Sequence, residues 1–174
     1  MISHPIPPVF DERSEILILG SFPSVKSREY GFFYGHPSNR FWKVLKEVLA
    51  WSAEPVDTEE KKKLLLESHV ALWDVIASCD VTGSSDASIR NAVPNDLLPI
   101  LKAGRIRTIF CNGSTAYSLY MKTIYPSLGI LPVRLPSTSP ANASFRLEEL
   151  TNEWREALRQ ALPVIPEKEA EDEY

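Results

Sequence analysis

Cysteine is almost missing from this 174-residue chain, which has only Cys79 and Cys111, far apart. Such a pair offers neither a ligand cluster for a metal nor a disulfide framework, and it fits a reduced, intracellular protein. His4, His36 and His69 are too scattered to suggest a metal site. The seven glycines form neither a GxGxxG fingerprint nor a Walker loop, so the usual cradle for a dinucleotide or triphosphate is absent. No apolar run is long enough to cross a bilayer, and no basic stretch with an apolar h-region opens the chain. No membrane association and a cytoplasmic location are therefore expected. An excess of positive charge is missing too. The net charge is −4, and the five acids and one lysine of residues 167–174 account for all of it. The neutral remainder argues against tight, indiscriminate binding to a polyanion.

What is present reads as one domain over residues 1–166, followed by an acidic, disordered tail at 167–174. A proline-rich arm (Pro5, Pro7, Pro8) should wrap the surface. Ile16–Leu19 reads as a buried strand, followed by a long loop to Pro37. From Ser38 the apolar spacing of Phe41, Leu45, Val48 and Leu49 predicts a helix, with Ser38 or Asn39 as its cap. Asp57 opens a second helix, whose lysine run at Lys61, Lys62 and Lys63 is expected on a solvated face. Val70–Ile76 reads as one buried strand interrupted by Asp74, and Ser78–Pro94 as a polar loop too long for a simple connector. Asn95 and Asp96 cap a short helix ending at Gly104, Ile106–Cys111 is a strand, and a helix follows through about Tyr125. Ile130–Leu135 is the last strand. The last helix, Arg146–Leu162, should turn Leu147, Leu150, Trp154, Leu158 and Leu162 inward. This alternation predicts an α/β fold, with a parallel sheet covered on both faces.

Two segments that follow strands can meet at one mouth, because ligands of open parallel sheets bind outside the carboxyl ends of the strands. They are Gly20-Ser21-Phe22-Pro23-Ser24 and Ser137-Thr138-Ser139-Pro140-Ala141-Asn142. The segment from Tyr34 to Trp42 lies close behind the first. Phe22, Phe32, Phe33 and Tyr34 offer faces for a planar heterocycle, or else are core. Backbone N–H groups and hydroxyls of Ser137, Thr138 and Ser139 can bind a phosphate without net positive charge. A Ser21–His36 hydrolase dyad is conceivable, but GxSxG is absent and no orienting acid is evident.

Dispersed motifs now make the chain specific: Gly20-Ser21-Phe22-Pro23-Ser24, His36-Pro37-x-Asn39-x-Phe41-Trp42, Trp73-Asp74-Val75 and Ser137-Thr138-Ser139-Pro140-Ala141-Asn142. Ser78-Cys79, Gly83-Ser84-Ser85-Asp86 and Ile89-Arg90-Asn91 add to them. In this order they resemble the uracil-DNA glycosylase superfamily, and within it the hypoxanthine-DNA (deoxyinosine) glycosylase branch. The resemblance spans roughly residues 14–162.

It implies a three-layer α/β/α sandwich around a central four-stranded parallel sheet, acting on DNA, and nothing in the chain requires more than a monomer. The implied activity is monofunctional excision of a deaminated base, most simply hypoxanthine, without metal or organic cofactor. The iron–sulfur cluster of some relatives needs four cysteines, which are not available. Many relatives carry an Asp or Asn in the first motif to position water, whereas Gly20–Ser24 has neither. The resemblance assigns that role to Asn39, whose carbonyl oxygen would align the water.

For the other motif residues the resemblance implies softer roles. Gly20, Ser21, Phe22, Pro23, Ser24, Phe33, Tyr34, His36 and Asp74 would line the base pocket, with Phe22 stacking on the base. Asp74 would brace the pocket wall through backbone N–H groups, or contact the base edge. Ser137 to Asn142 would hold the DNA backbone, unless Asn142 only caps the last helix. A uracil or mismatch-specific glycosylase, or a non-catalytic module that recognises damaged DNA, is the alternative.

Overall fold

The computed structural model describes residues 1–166; the tail expected at 167–174 lies outside the described residues. Four parallel strands form the central sheet: β2 (Ile16–Gly20), β3 (Val70–Asp74), β6 (Thr108–Asn112) and β7 (Val133–Leu135). Their order is β3-β2-β6-β7, with Ile16 opposite both Val70 and Thr108. A second, antiparallel sheet joins β1 (Ile2–Ser3), β4 (Ile76–Asp80) and β5 (Arg90–Pro94). The helices are α1 (Val25–Tyr30), α2 (Phe41–Val48), α3 (Thr58–Glu67), α4 (Leu98–Ala103), α5 (Ser114–Thr123), α6 (Tyr125–Leu128) and α7 (Leu147–Ala161).

Strand periodicity builds two cores, one on each face of the central sheet. Ile16, Ile18, Val70, Leu72 and Phe110 face Phe41 and Leu45 of α2 and Trp154 and Leu158 of α7. Leu17, Leu19, Ala71, Ile109 and Cys111 face Ala116 and Tyr120 of α5 and Ile100 of α4. Residues 16–19 are wholly buried, which is why β2 reads as a continuous apolar run rather than an alternation. The expected layered sandwich around a four-stranded parallel sheet is therefore present.

Several local expectations are corrected. The loop after Gly20 contains α1, capped by Ser24, whose Oγ accepts from the Ser27 N–H at 3.1 Å, and closed by Gly31 at φ 83°. Its six residues carry no apolar period to reveal it. Lys61 is buried, not solvated: its ammonium lies 5.0 Å from the Trp42 ring centroid and 5.2 Å from that of Tyr30. Val70–Ile76 is two strands, because the chain leaves one sheet after Asp74 and enters the other at Ile76. The long polar loop is a hairpin, β4 and β5 around a 3₁₀ turn at Asp86–Ser88, its strands masked by exposed polar positions. Pairing at β7 begins only at Val133, after the donorless Pro132. Leu147 is exposed at the first turn of α7. Ser38 caps nothing; the Phe41 N–H instead bonds Asn39 Oδ1 at 3.0 Å.

Candidate active site

The carboxyl ends of all four parallel strands open on one cavity of about 340 Å³. Gly20 and Asp74 end β2 and β3, Asn112 ends β6, and Ser137–Ala141 follow β7. Gly20, Ser21, Phe22, Pro23, Ser24, Phe33, Tyr34, His36, Asn39, Asp74, Ser137, Thr138, Ser139, Pro140 and Ala141 all line it. Asn142 does not. Its Nδ2 donates to the Ser137 carbonyl at 3.1 Å, closing the loop behind the cavity wall.

A chain of hydrogen bonds orients the polar side. Asn39 Oδ1 accepts from the Phe41 N–H at 3.0 Å and from the Thr138 hydroxyl at 2.8 Å. Thr138 Oγ1 in turn accepts from Asn112 Nδ2 at 3.0 Å, and Asn112 Oδ1 accepts from the Thr138 N–H at 3.0 Å. Asn112 Nδ2 also donates to the Tyr34 hydroxyl at 3.1 Å. Because both donors point at Oδ1, the Asn39 amide has one admissible orientation. Its Nδ2 has no hydrogen-bond partner among the described residues. The carbonyl oxygen expected to align water is thus already doubly engaged.

The floor is a buried hydrogen bond between His4 and Asp74. His4 Nδ1 accepts from the Ile6 N–H at 3.2 Å, so Nε2 carries the proton that faces Asp74 Oδ2 at 2.7 Å. Asp74 is braced by this histidine from the N-terminal arm rather than by backbone N–H groups. The His4 ring also stands edge-on to Phe22, at 5.8 Å and 85°. Gly20 is required here by close approach: a Cβ on it would lie 2.4 Å from Asp74 Oδ1 and 2.9 Å from the Tyr34 hydroxyl. Tyr34 stacks on Phe41 at 4.0 Å in the left-handed region, φ 51°. Burial, reinforced by Asp74, pushes its phenol up and keeps it a neutral donor.

The rim differs from its expected chemistry in one respect. The Thr138 N–H is taken by Asn112, the Ser139 N–H by Ser137 Oγ at 3.1 Å and the Ala141 N–H by Ser139 Oγ at 3.2 Å. These amides hold the loop's own shape, and the Ser137 and Ser139 hydroxyls accept from them without donating to a partner among the described residues. Ser21 and His36 form no dyad. Ser21 Oγ donates to Asp86 Oδ1 at 2.9 Å, while His36 Nδ1 accepts from the Ser38 N–H at 3.0 Å. Phe33 is a core ring that touches the cavity, its carbonyl accepting from Trp42 Nε1 at 3.3 Å. Ser24 is occupied as the α1 cap.

With this geometry, the comparisons with known proteins converge. Residues 7–162 match the family model of the uracil DNA glycosylase superfamily. The chain belongs to this superfamily. A hypoxanthine DNA glycosylase from Methanosarcina acetivorans is 32% identical over 160 residues, covering 91% of this chain and 99% of that protein. One from Methanosarcina barkeri is 31% identical over 155 residues, covering 88% and 96%. A solution NMR structure of a candidate uracil DNA glycosylase from M. acetivorans superposes with a TM-score of 0.73 at 33% identity. It covers 90% of this chain and 98% of that one.

Three residues of this superfamily site escape a reading of the sequence, and a fourth, Asp86, enters it only as the end of a motif with no role attached. His4 sits in an unremarkable arm, and Asn112 looks like part of a turn. Asp86 lies in the polar hairpin, joined to the first motif only through space. Arg40 occupies the variable place between Asn39 and Phe41, yet its guanidinium donates to the carbonyls of Ser139 at 2.9 Å, Asn142 at 3.1 Å and Phe145 at 2.6 Å. Only the branch motif around Gly83–Asp86 carries a signal for any of them. Neither cysteine contributes a nucleophile: both are buried, and burial pushes the Cys111 thiol up to about 12.

Proposed function

We propose that this protein flips a deaminated base, foremost hypoxanthine, out of DNA and hydrolyses its N-glycosidic bond, leaving an abasic site. One observation carries the reading: a single cavity at the strand ends gathers the first motif, Asn39, Asp74 and the Ser137–Ala141 loop. Its volume of about 340 Å³ suits a single extruded base. The relatives that bear the name hypoxanthine DNA glycosylase, aligned over nearly their whole length, support hypoxanthine as the substrate. Phe22 offers the stacking face, Asp74 and Tyr34 the polar floor, and the Ser137 and Ser139 hydroxyls a grip on phosphate. Asn39 Nδ2 holds the attacking water by its oxygen. Water is the only co-reactant, and no lysine stands in the motifs for a lyase step. The enzyme acts as a monomer, inside the cell where its DNA substrate is.

The test is single-turnover excision from matched duplexes bearing one deoxyinosine, deoxyuridine, deoxyxanthosine or mismatched thymidine, with alkaline cleavage at the product site. Deoxyinosine should be cleaved fastest. Asn39→Ala should lower that rate by about 10²-fold or more, with DNA affinity retained. Cleavage of deoxyuridine alone would replace the substrate assignment, and binding without cleavage would leave a damage-recognition module.

A further inference from the structure

Attack of water on the anomeric carbon is accelerated by a group that takes the water's proton. Gly20–Ser24 contains no such group, and Asn39 Oδ1 is filled by the Phe41 N–H and the Thr138 hydroxyl. Among the described residues two acidic side chains line the cavity, Asp74 and Asp86. Asp74 Oδ2 is held by His4 at 2.7 Å, and its Oδ1 is packed under the β2 backbone, where a Cβ on Gly20 would lie 2.4 Å from it.

Asp86 is different. It stands in the turn between β4 and β5, 65 residues from Ser21, yet Ser21 Oγ donates to its Oδ1 at 2.9 Å. The turn is tied to α1: Ser84 Oγ accepts from the Val25 N–H at 2.9 Å, and Arg28 donates to the Gly83 carbonyl at 2.9 Å. Asp86 Oδ2 has no partner among the described residues. A carboxyl group of a cavity-lining residue is therefore fixed by one oxygen onto the first motif, with its other oxygen unpartnered among the described residues.

We propose that Asp86 is the water-activating carboxylate of this site, supplied through space to a first motif that lacks one in sequence. The inference rests on the glycosylase reading above. In the step, the water oxygen bonds to C1′ and its proton passes to Asp86 Oδ2. The C1′–N9 bond breaks with its electron pair on the purine, which takes a proton from solvent. Asp86 then returns its proton to solvent, so the sum is hydrolysis. Ser21 is a positioning residue that aims the carboxylate and tunes its basicity.

The surrounding charges fit a base. Asp86 is exposed as a residue, but its carboxyl turns inward to Ser21. Loss of solvent there raises it above the ordinary carboxylate range, Asp74 adds to the rise, and the Ser21 hydrogen bond opposes it. Tyr34 and Cys79 share its field as neutral groups. Arg28, from α1, lies over the Phe22 ring at 5.7 Å.

The experiment is the single-turnover rate of deoxyinosine excision against pH, for wild type, Asp86→Asn and Ser21→Ala, alongside affinity for an uncleavable duplex and thermal melting. Asp86→Asn should lower the rate by about 10²–10⁴-fold, leave affinity unchanged and abolish the acid limb of the profile. Ser21→Ala removes a bond that favours the ionised form, so its acid limb should move to higher pH. An Asp86→Asn enzyme with wild-type rate and profile overturns the proposal. If Asp86→Asn fails to fold, an unmoved acid limb in Ser21→Ala overturns it instead. Absence of excision by the wild type itself is a separate result, and overturns the glycosylase reading before any variant is compared.

Discussion

Gly20 shows how one absent methyl group defines the pocket floor. The backbone of β2 passes so near Asp74 and Tyr34 that alanine would push both away from their places. Gly20→Ala should reduce excision by about 10²-fold, since small misplacements at a positioned site cost that much. Thermal melting should fall by much less than the rate, because φ at this position suits any residue. A Gly20→Ala enzyme of wild-type rate would show that Asp74 need not stay where it is. Asn39 makes a related point. Cap and site residue look like competing roles in sequence, but the two ends of one amide divide them. Oδ1 secures the start of α2 and the Thr138 loop, which leaves Nδ2 for the role proposed for it.

Among elements, the segment between β7 and α7 depends most on a residue outside it. It has no regular structure, and its shape comes from Arg40, from Trp154 Nε1 donating to the Pro136 carbonyl at 2.8 Å and from internal serine bonds. Arg40→Ala would leave several part-buried carbonyls unpaired, at a cost of about 1–3 kcal/mol. It should weaken DNA binding and expose the 137–145 segment to proteolysis. Lysine should not rescue it, because a single ammonium cannot span carbonyls that a planar fork reaches together. Equal protease resistance in Arg40→Ala and wild type would contradict this. Ser139→Ala should weaken DNA binding more than it slows a saturated single turnover. Equal loss in both would contradict a phosphate-binding role. The central strands and α2, α3 and α7 were legible because apolar spacing and caps are local signals. Helix α1 and the β4–β5 hairpin were not, since the six residues of α1 carry no apolar period and the hairpin strands are masked by exposed polar positions.

For the whole molecule, the balanced charge of residues 1–166 sets how DNA is held. With hydroxyls rather than lysines at the rim, affinity should fall with salt only gently, with a log–log slope shallower than about −4. A steeper slope would place a basic patch in control of binding. Acid stability has a local origin at Glu15, which leads into β2 and pairs with His69 at 2.6 Å and with Arg107. The His69 bond, against a smaller burial effect, holds its carboxyl below the ordinary range. A lowered acid stabilises the fold above its unfolded value and loses that contribution as pH falls through the folded one. Urea midpoints should therefore drop from neutral to acid pH, and drop less in Glu15→Gln. An identical drop in that variant would remove Glu15 as a cause.

The sequence by itself determined the sandwich, the sheet at its centre and nearly all the residues around the cavity, because burial patterns and loop motifs are written in neighbouring positions. The tertiary structure alone decided which atoms meet there: His4 with Asp74, Ser21 with Asp86, Asn39 with Thr138. These partners lie 70, 65 and 99 residues apart. Their pairing follows from strand register and hairpin placement, and a hydrogen bond formed over such a separation leaves no periodic trace in the chain.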